Sequence, residues 1–141
     1  MDDLARKLRE NGLKVTPQRL SIYGLLLGTK EHPSAETIYA QVKSNMPSIS
    51  FNTVYKTLSS LEESGLIKKL VVEENHYRFD ADTSPHAHLL CVNCNKLEDI
   101  PGEYGSRVRM MREEFASTSG RTIISEELYF FGYCGHCGQT N

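Results

Sequence analysis

Two Cys-x-x-Cys pairs constrain the fold of this chain more than any other feature. The pairs are Cys91/Cys94 and Cys134/Cys137, and they contain all four cysteines of the 141 residues. Four thiols in two such pairs are the ligand set of one closed, tetrahedral zinc site. The 39 residues between the pairs exceed the spacing of a compact ribbon, so a strand, a helix and a strand must fit there. Four unrelated thiols or two redox disulfides are the alternatives.

The composition is that of an ordinary soluble globular protein. Apolar residues make up 39% of the chain and charged residues 24%. No apolar run approaches the roughly 20 residues that a membrane span needs. The N-terminus, Met1-Asp2-Asp3-Leu4, is acidic and lacks an apolar stretch, so no signal peptide is visible. We therefore expect a cytoplasmic protein without a membrane partner, in which cysteine pairs hold metal more often than they form disulfides.

The charges are distributed unevenly along the chain. The net charge is −2 with His neutral, which by itself does not indicate nucleic-acid binding. Residues 1–56, however, carry eight Lys/Arg against five Asp/Glu, whereas residues 81–141 carry five against eight. The basic part precedes the part with the cysteines, so the sequence predicts different tasks for the two parts.

The N-terminal part has the pattern of four short helices. Residues 2–11 form an amphipathic stretch with leucines at i and i+4. Three further helices are predicted behind the capping residues Thr16, Ser34 and Ser50, whose side chains can accept hydrogen bonds from the first turn. The last of these helices is predicted over residues 51–64.

The pattern then changes to short strands. Residues 66–72 and 76–79 predict a hairpin around the turn Glu73-Glu74-Asn75. Helices followed by such a hairpin describe a winged helix-turn-helix, in which 51–64 is the recognition helix and 66–79 is the wing.

The C-terminal part alternates strands with one helix. The predicted elements are strands at 87–92 and 97–100, a charged amphipathic helix at about 103–117 and a last strand within Arg121–Tyr133. The fold class is therefore α+β, with a winged helix-turn-helix over residues 1–80, a linker over 81–85 and a small α/β domain over 86–141.

A second group of potential ligands surrounds the first cysteine pair. His86 and His88 are two positions apart, so in an extended strand both imidazoles face one side. Asp80 and Asp99 flank them in sequence. Two histidines with two aspartates make a mixed nitrogen and oxygen site, which suits Fe, Mn or another divalent ion better than a thiolate cage does. The alternative is a polar strand edge with solvated carboxylates.

The other three histidines carry weaker signals. His32 heads a helix far upstream and, taken alone, is typical of a surface or capping histidine. His76 in the hairpin and His136 between two cysteines are not expected to bind metal.

Polar and basic residues on the predicted recognition helix and around it are candidate DNA contacts. Asn, Thr, Tyr and Lys side chains can reach base edges and phosphates, although a solvated helix face has the same composition. The candidates are Lys14, Arg19, Asn52, Thr53, Tyr55 and Lys56, with Lys68 and Lys69 as further phosphate contacts.

Taken together, these motifs resemble the ferric uptake regulator family of bacterial metal-dependent repressors, and the likeness covers nearly the whole chain. The stretches that carry it are Leu13–Arg19 (LKVTPQR), His32–Tyr39 (HPSAETIY), Thr53–Leu58 (TVYKTL), Tyr77–Asp80 (YRFD), His86–Cys91 (HAHLLC) and the two cysteine pairs.

The resemblance implies a function for each part of the chain. The winged helix would bind double-stranded operator DNA, and the C-terminal domain would form a homodimer and hold structural zinc on Cys91, Cys94, Cys134 and Cys137. A regulatory divalent ion would sit between the two parts. Its ligands would match His32, Asp80, His86, His88 and Asp99, so the resemblance makes His32 a ligand.

The sequence is most similar to the peroxide-responsive repressors of this family. Asp99 occupies the fifth ligand position, where iron-sensing members more often have Glu, and the cysteines form two full pairs. In the peroxide sensors, ferrous iron reacts with hydrogen peroxide and a ligating histidine is oxidised, so that metal and DNA are released. The matching residues here are His32 and His86, while Mn²⁺ at the same site would make the repressor insensitive to peroxide. Glu98 is a competing ligand.

Four other functions stay open on the sequence. An iron-level sensor of the same family is the main alternative, and a zinc-level sensor is a weaker one. A thiol-disulfide or peroxide-reducing enzyme would use Cys91 and Cys94, but a catalytic pair usually opens a helix and stands alone. A plain zinc-ribbon interaction module would leave the wing unexplained. We therefore expect a regulator rather than an enzyme.

Overall fold

The structure is a computed structural model that describes residues 2–73, 76–84 and 86–140. Glu74 and Asn75 of the predicted turn, and Pro85 of the predicted linker, lie outside the described residues. The chain divides into two compact units between Thr83 and Ser84. This division falls within the segment assigned to the linker, and the functions assigned to the two parts stay predictions.

The N-terminal unit consists of four helices followed by a two-stranded hairpin. Its elements are α1 Asp2–Glu10, α2 Pro17–Leu27, α3 Ala35–Lys43, α4 Phe51–Glu63, β1 Lys68–Glu73 and β2 His76–Asp80. The two strands are antiparallel, and Lys68 lies opposite Asp80. This is the winged helix-turn-helix that the sequence predicted. The helices and strands begin and end within one or two residues of the predicted positions.

Side-chain caps fix the starts of three helices. Thr16, Ser34 and Ser50 each accept a hydrogen bond from the backbone N–H three residues later, at 3.1, 3.2 and 3.0 Å. These bonds satisfy N–H groups that have no partner inside the helix. Behind α4, Gly65 takes a φ of +84°, a conformation that other residues rarely adopt.

One apolar core holds the N-terminal unit together. Val54, Leu58 and Leu61 line one face of α4 and are buried, as their helical spacing predicts. They pack with buried side chains from the other three helices and from β2, which include Leu8, Ile22, Leu26, Ile38, Val42 and Phe79. The opposite face of α4 is consequently left to polar and aromatic side chains.

The C-terminal unit is a three-stranded sheet with one long helix. Its elements are β3 His88–Cys91, β4 Leu97–Asp99, α5 Gly102–Ser119, β5 Tyr129–Gly132 and a final 3₁₀ turn, Cys137–Thr140. The strand order is β4-β3-β5, with β3 antiparallel to β4 and parallel to β5. A parallel neighbour requires a crossover, and α5 lies in the chain between those two strands.

The apolar core of the C-terminal unit is small. Leu90, Leu97 and Val108 are buried, while Phe130 and Phe131 on β5 are 53% and 68% exposed. A unit of this size with so few buried side chains usually gains stability from a cross-link, a metal or association with another chain. Among the described residues, no helix combines the length and apolar character that crossing a bilayer requires.

Candidate metal centres

The four cysteines converge at one end of the C-terminal sheet. Cys91 ends β3 and lies beside Gly132 of β5, so the turns that follow these two parallel strands leave the sheet at the same end. The four sulfur atoms all lie within 4.8 Å of one another. The predicted pairing of the two motifs into one site is therefore present in the fold.

The geometry of the cluster fits zinc. The Sγ atoms of Cys94 and Cys134 are 3.8 Å apart. Two sulfur atoms at roughly 2.3 Å from a tetrahedral zinc ion are separated by roughly 3.8 Å. Backbone N–H groups of Cys94 and Cys134 hydrogen-bond to the Cys91 sulfur and lower its pKa to about 6. Cys91 is thus prepared as a thiolate, the form that binds metal.

Asn93 is a residue of this cluster that sequence reasoning missed. Its side-chain amide donates a hydrogen bond to the Cys137 sulfur at 3.2 Å, across 44 positions of sequence. Such outer contacts orient a ligand and raise metal affinity. Only its place between two cysteines could have signalled this contact.

Two of the predicted ligands of the second site meet inside the N-terminal unit. His32 lies between α2 and α3, and Asp80 ends β2. His32 is 2% exposed and Asp80 is 8% exposed. The His32 Nε2 and Asp80 Oδ2 atoms are 3.3 Å apart. The sequence position of His32, taken alone, favoured a surface or capping histidine. The structure shows that it is neither.

Three more of the predicted ligands meet inside the C-terminal unit. His88 lies directly opposite Asp99 on the antiparallel strands β3 and β4. The Nε2 atoms of His86 and His88 are each 3.3 Å from the same oxygen, Asp99 Oδ1. His86 precedes β3, yet its ring lies against that of His88, with 4.4 Å between the ring centroids. Two histidines and one carboxylate are the ligand types that non-haem Fe(II) sites use.

A hydrogen bond orients the imidazole ring of His86. The His86 Nδ1 atom is 2.6 Å from the backbone carbonyl oxygen of Ser84. A carbonyl can only accept, so Nδ1 carries a proton and Nε2 is the ring nitrogen that faces Asp99.

Within each group, taken by itself, the separations suit ligands bound to the same ion. Adjacent ligands of an octahedral ion with bonds of roughly 2.1 Å lie roughly 3 Å apart. The nitrogen-to-oxygen distances of 3.3 Å in each unit are close to that value. All of these donors are imidazole nitrogens and carboxylate oxygens, the donor set of Fe²⁺ and Mn²⁺ rather than of a thiolate cage.

Glu98, the competing ligand, has different surroundings from Asp99. Successive side chains of β4 point to opposite faces of the sheet, and Glu98 lies opposite Leu89 rather than His88. Its Oε1 atom is 3.7 Å from the Lys96 ammonium nitrogen. The geometry favours Asp99 as the carboxylate that faces the two histidines.

The remaining histidines lie in other surroundings. His76 is exposed, and its Nδ1 atom is 3.8 Å from Glu73 Oε2. His136 is exposed in the turn between Cys134 and Cys137. Neither belongs to a cluster of metal-type ligands within the part of the chain that the structure describes.

The candidate DNA contacts occupy the outer face of α4 and its surroundings. Asn52, Tyr55 and Lys56 are exposed, and Thr53 is half-buried with its hydroxyl 2.9 Å from Ser50 Oγ. Arg19 is half-buried. The structure thus places the four α4 residues on the side of the helix that the core leaves open.

The basic candidates outside α4 differ in their exposure and in their contacts with other residues of the chain. Lys14 is exposed, and its carbonyl oxygen accepts a hydrogen bond of 2.8 Å from the Arg19 guanidinium. Lys69 is 3.8 Å from Glu62 and lies over the Tyr77 ring, so its charge is already partly neutralised. Lys14 is the more accessible of these candidates.

The profile of the ferric uptake regulator family matches residues 10–131. The chain belongs to this family. Among its relatives, "Transcriptional regulator PerR" of Clostridium acetobutylicum is 42% identical, over 97% of both chains. The "Peroxide operon regulator" of Bacillus subtilis is 34% identical, over 94% of this chain and 89% of its own.

A solved structure of the family has the same fold. The crystal structure of the Campylobacter jejuni peroxide stress regulator superposes with a TM-score of 0.77 at 30% identity, over 95% of this chain and 98% of that one. The predicted fold class, a winged helix-turn-helix followed by a small α/β domain, is confirmed.

Proposed function

We propose that this protein is a metal-dependent, DNA-binding transcriptional repressor that responds to hydrogen peroxide. The observation that carries the proposal is the His86, His88 and Asp99 triad, which provides Fe(II)-type ligands on a protein whose relatives are named as peroxide regulators. The separate cysteine cluster supports it, because a zinc ion held by thiolates leaves this second donor set to another metal.

In this proposal, five residues bind one exchangeable divalent ion, Fe²⁺ or Mn²⁺. They are His32, Asp80, His86, His88 and Asp99. Two come from one unit and three from the other, so binding of the ion restricts how the units can be arranged. Metal then selects the arrangement that binds DNA, by the difference in its affinity for the possible arrangements. The ion bound by these five residues would supply the site at which hydrogen peroxide is activated.

Oxidation of histidine ends repression in this scheme. Ferrous iron held by these residues would activate hydrogen peroxide for cleavage of its O–O bond, and the two electrons would come in net from the imidazole that is oxidised. The imidazole of His32 or His86 gains one oxygen atom, and the second oxygen of the peroxide leaves as water. The oxidised ring is a poorer ligand, so the ion dissociates and the DNA-binding arrangement is lost. Mn²⁺ does not support this chemistry, and the manganese form keeps its DNA.

DNA binding belongs to the winged helix, and dimerisation to the C-terminal unit. We propose that α4 enters the major groove with Asn52, Thr53, Tyr55 and Lys56, and that Lys14 and Arg19 contact phosphates. The exposed apolar side chains of β5 and α5 favour burial against a second copy. A homodimer would place two α4 helices at half-sites about 34–36 Å apart.

The test compares the iron and manganese forms of anaerobically purified protein. Zinc content of about one ion per chain is expected in both. Both forms should bind operator DNA selected from a random library, and peroxide at low concentration should release DNA from the iron form alone. Peptide mass spectrometry should then find one added oxygen on His32 or His86.

Each outcome separates this proposal from its alternatives. Iron-dependent binding that low peroxide leaves unchanged would indicate an iron-level sensor. Release without an added oxygen on either histidine would overturn the oxidation scheme. Turnover of peroxide with a dithiol reductant would indicate an enzyme that uses the cysteines.

A further inference from the structure

The backbone of His32 has an unusual conformation. Its φ angle is +51°, in the left-handed region that residues with a Cβ rarely adopt. Pro33 follows it, and Ser34 then caps α3. A residue persists in this region when its surroundings hold it there, and such residues cluster at functional sites.

Arg78 provides the contacts that hold this segment. Its Nε donates a hydrogen bond to the carbonyl oxygen of His32, and its Nη2 donates one to the carbonyl oxygen of Glu31 at 2.9 Å. The next residue of β2 adds a third contact, because the backbone N–H of Phe79 donates to the carbonyl oxygen of Pro33 at 3.0 Å. Three consecutive carbonyl groups are therefore bonded to two consecutive residues of β2.

The alternation of side chains along β2 explains why His32 is contacted both at its backbone carbonyl and at its imidazole. Arg78 and Asp80 are two positions apart on the strand, so their side chains share a face. Arg78 binds the backbone of His32, while the carboxylate of Asp80 lies 3.3 Å from its imidazole. The orientation of the backbone and the partner of the ring are thus set from one strand.

We propose that Arg78 is a positioning residue for the regulatory metal: its guanidinium holds His32 in the left-handed conformation that turns the imidazole towards Asp80. This inference rests on the proposed role of His32 as a ligand. A planar guanidinium suits the task because its N–H groups form a rigid fork that can reach two carbonyl oxygens at once. Because β2 belongs to the wing, the same contacts tie the ligand loop to a DNA-facing element.

The direction in which metal affinity changes when Arg78 is replaced distinguishes a positioning role from an electrostatic one. Arg78 is a permanent positive charge, so by charge alone it repels a divalent cation. Replacing it with neutral Gln should then tighten metal binding. If Arg78 positions the ligand instead, the same substitution should weaken binding despite the removal of a repelling charge.

The experiment measures Mn²⁺ affinity of the zinc-loaded, full-length protein by the loss of the free Mn²⁺ signal in electron paramagnetic resonance. Arg78→Gln should weaken binding about 10- to 100-fold, the range found when an outer contact of a metal ligand is removed. Arg78→Lys, which retains the charge but can reach only one carbonyl, should give an intermediate loss. The thermal unfolding midpoint of the zinc-loaded protein without Mn²⁺ checks that each variant is folded.

Two further variants make every result decisive. Glu31→Ala keeps the backbone carbonyl that Arg78 uses and removes only the neighbouring charge, so Mn²⁺ affinity should fall far less than in Arg78→Gln. His32→Ala should lose Mn²⁺ binding; if it binds as the wild type does, the proposed function fails. If His32→Ala loses binding while Arg78→Gln binds equally or more tightly, only the positioning role is overturned.

Discussion

Cys94 and Cys134 lie 40 positions apart in the sequence, and their sulfur atoms are 3.8 Å apart in the fold. This contact joins the turn after β3 to the turn after β5. The contribution of structural zinc, about 10–16 kcal/mol in small zinc domains, is of the order of the total stability of a domain, about 5–15 kcal/mol. We therefore expect Cys94→Ser to remove zinc and unfold the C-terminal unit, as measured by zinc content and circular dichroism.

Asn93→Ala is the matched control for the thiol substitution. It keeps all four sulfur ligands and removes only the hydrogen bond to Cys137. We expect zinc affinity to fall by about 10- to 100-fold while the unit stays folded at saturating zinc. Full zinc content and an unchanged unfolding profile in Cys94→Ser would contradict a structural zinc site.

The proposed regulatory site can be tested on two adjacent carboxylates. Asp99 Oδ1 lies 3.3 Å from both His86 and His88, whereas Glu98 is paired with Lys96. Asp99→Ala should therefore weaken Mn²⁺ binding more than about 100-fold, beyond the usual cost of losing an outer contact. Glu98→Ala, measured by the same titration, should change the affinity less than about threefold. Equal losses of Mn²⁺ affinity in the two variants would mean that Asp99 is not the only carboxylate of β4 that contributes to Mn²⁺ binding.

The features that the sequence predicted correctly depend on local chemistry. Ser50 could be identified as a cap because its side chain bonds to an N–H only three residues away. The convergence of the two cysteine pairs could be expected because Cys-x-x-Cys turns commonly supply two ligands each to one metal site. In both cases, neighbouring residues determine the geometry.

The features that the sequence missed depend on contacts between distant residues. Arg78 reaches the carbonyl of His32 across 46 positions, and Asn93 reaches Cys137 across 44. Neither pairing has a spacing rule, because each depends on the final packing of a strand or turn and on a side-chain rotamer. The burial of His32 was hidden for the same reason: only the approach of β2 turns a loop histidine into a buried partner of Asp80.

The buried hydroxyl of Tyr129 should destabilise the fold, and a single substitution should remove this destabilisation. Its ring stacks on His88, with 5.7 Å between the ring centroids, and its hydroxyl is buried without a hydrogen-bond partner among the described residues. Burial, reinforced by the Glu127 carboxylate, raises the pKa of Tyr129 to about 12, so the phenol stays neutral at pH 7. Because a buried polar group without a partner is destabilising, Tyr129→Phe should raise the unfolding free energy by about 1 kcal/mol.

Thermal denaturation of the zinc-loaded protein measures this gain. Tyr133→Phe provides the control, because Tyr133 is 52% exposed and loss of a solvated hydroxyl should change stability by less than about 0.5 kcal/mol. A lower midpoint for Tyr129→Phe would show that the hydroxyl has a partner in the assembled protein. Mn²⁺ affinity should be unchanged in both variants, since the stacked ring is retained.

The outer face of α4 offers a test that separates the two kinds of DNA contact. Lys56 is exposed and can neutralise a phosphate, whereas Asn52 is exposed in the first turn, where a side chain can reach a base edge. Lys56→Ala should weaken binding to all sequences and reduce the slope of log K against log salt by about one per chain. Asn52→Ala should cost about 1–3 kcal/mol on the selected operator and much less on random DNA.

Fluorescence anisotropy of the manganese form at several salt concentrations measures both effects without interference from peroxide. Lys96→Ala is the control, because Lys96 is an exposed lysine of the C-terminal unit paired with Glu98. It removes the same charge from the chain, so any change that it shares with Lys56→Ala reflects net charge alone. If Lys96→Ala lowers the salt slope as much as Lys56→Ala does, α4 is not the helix that faces the phosphates, because counterion release depends on charges at the DNA surface.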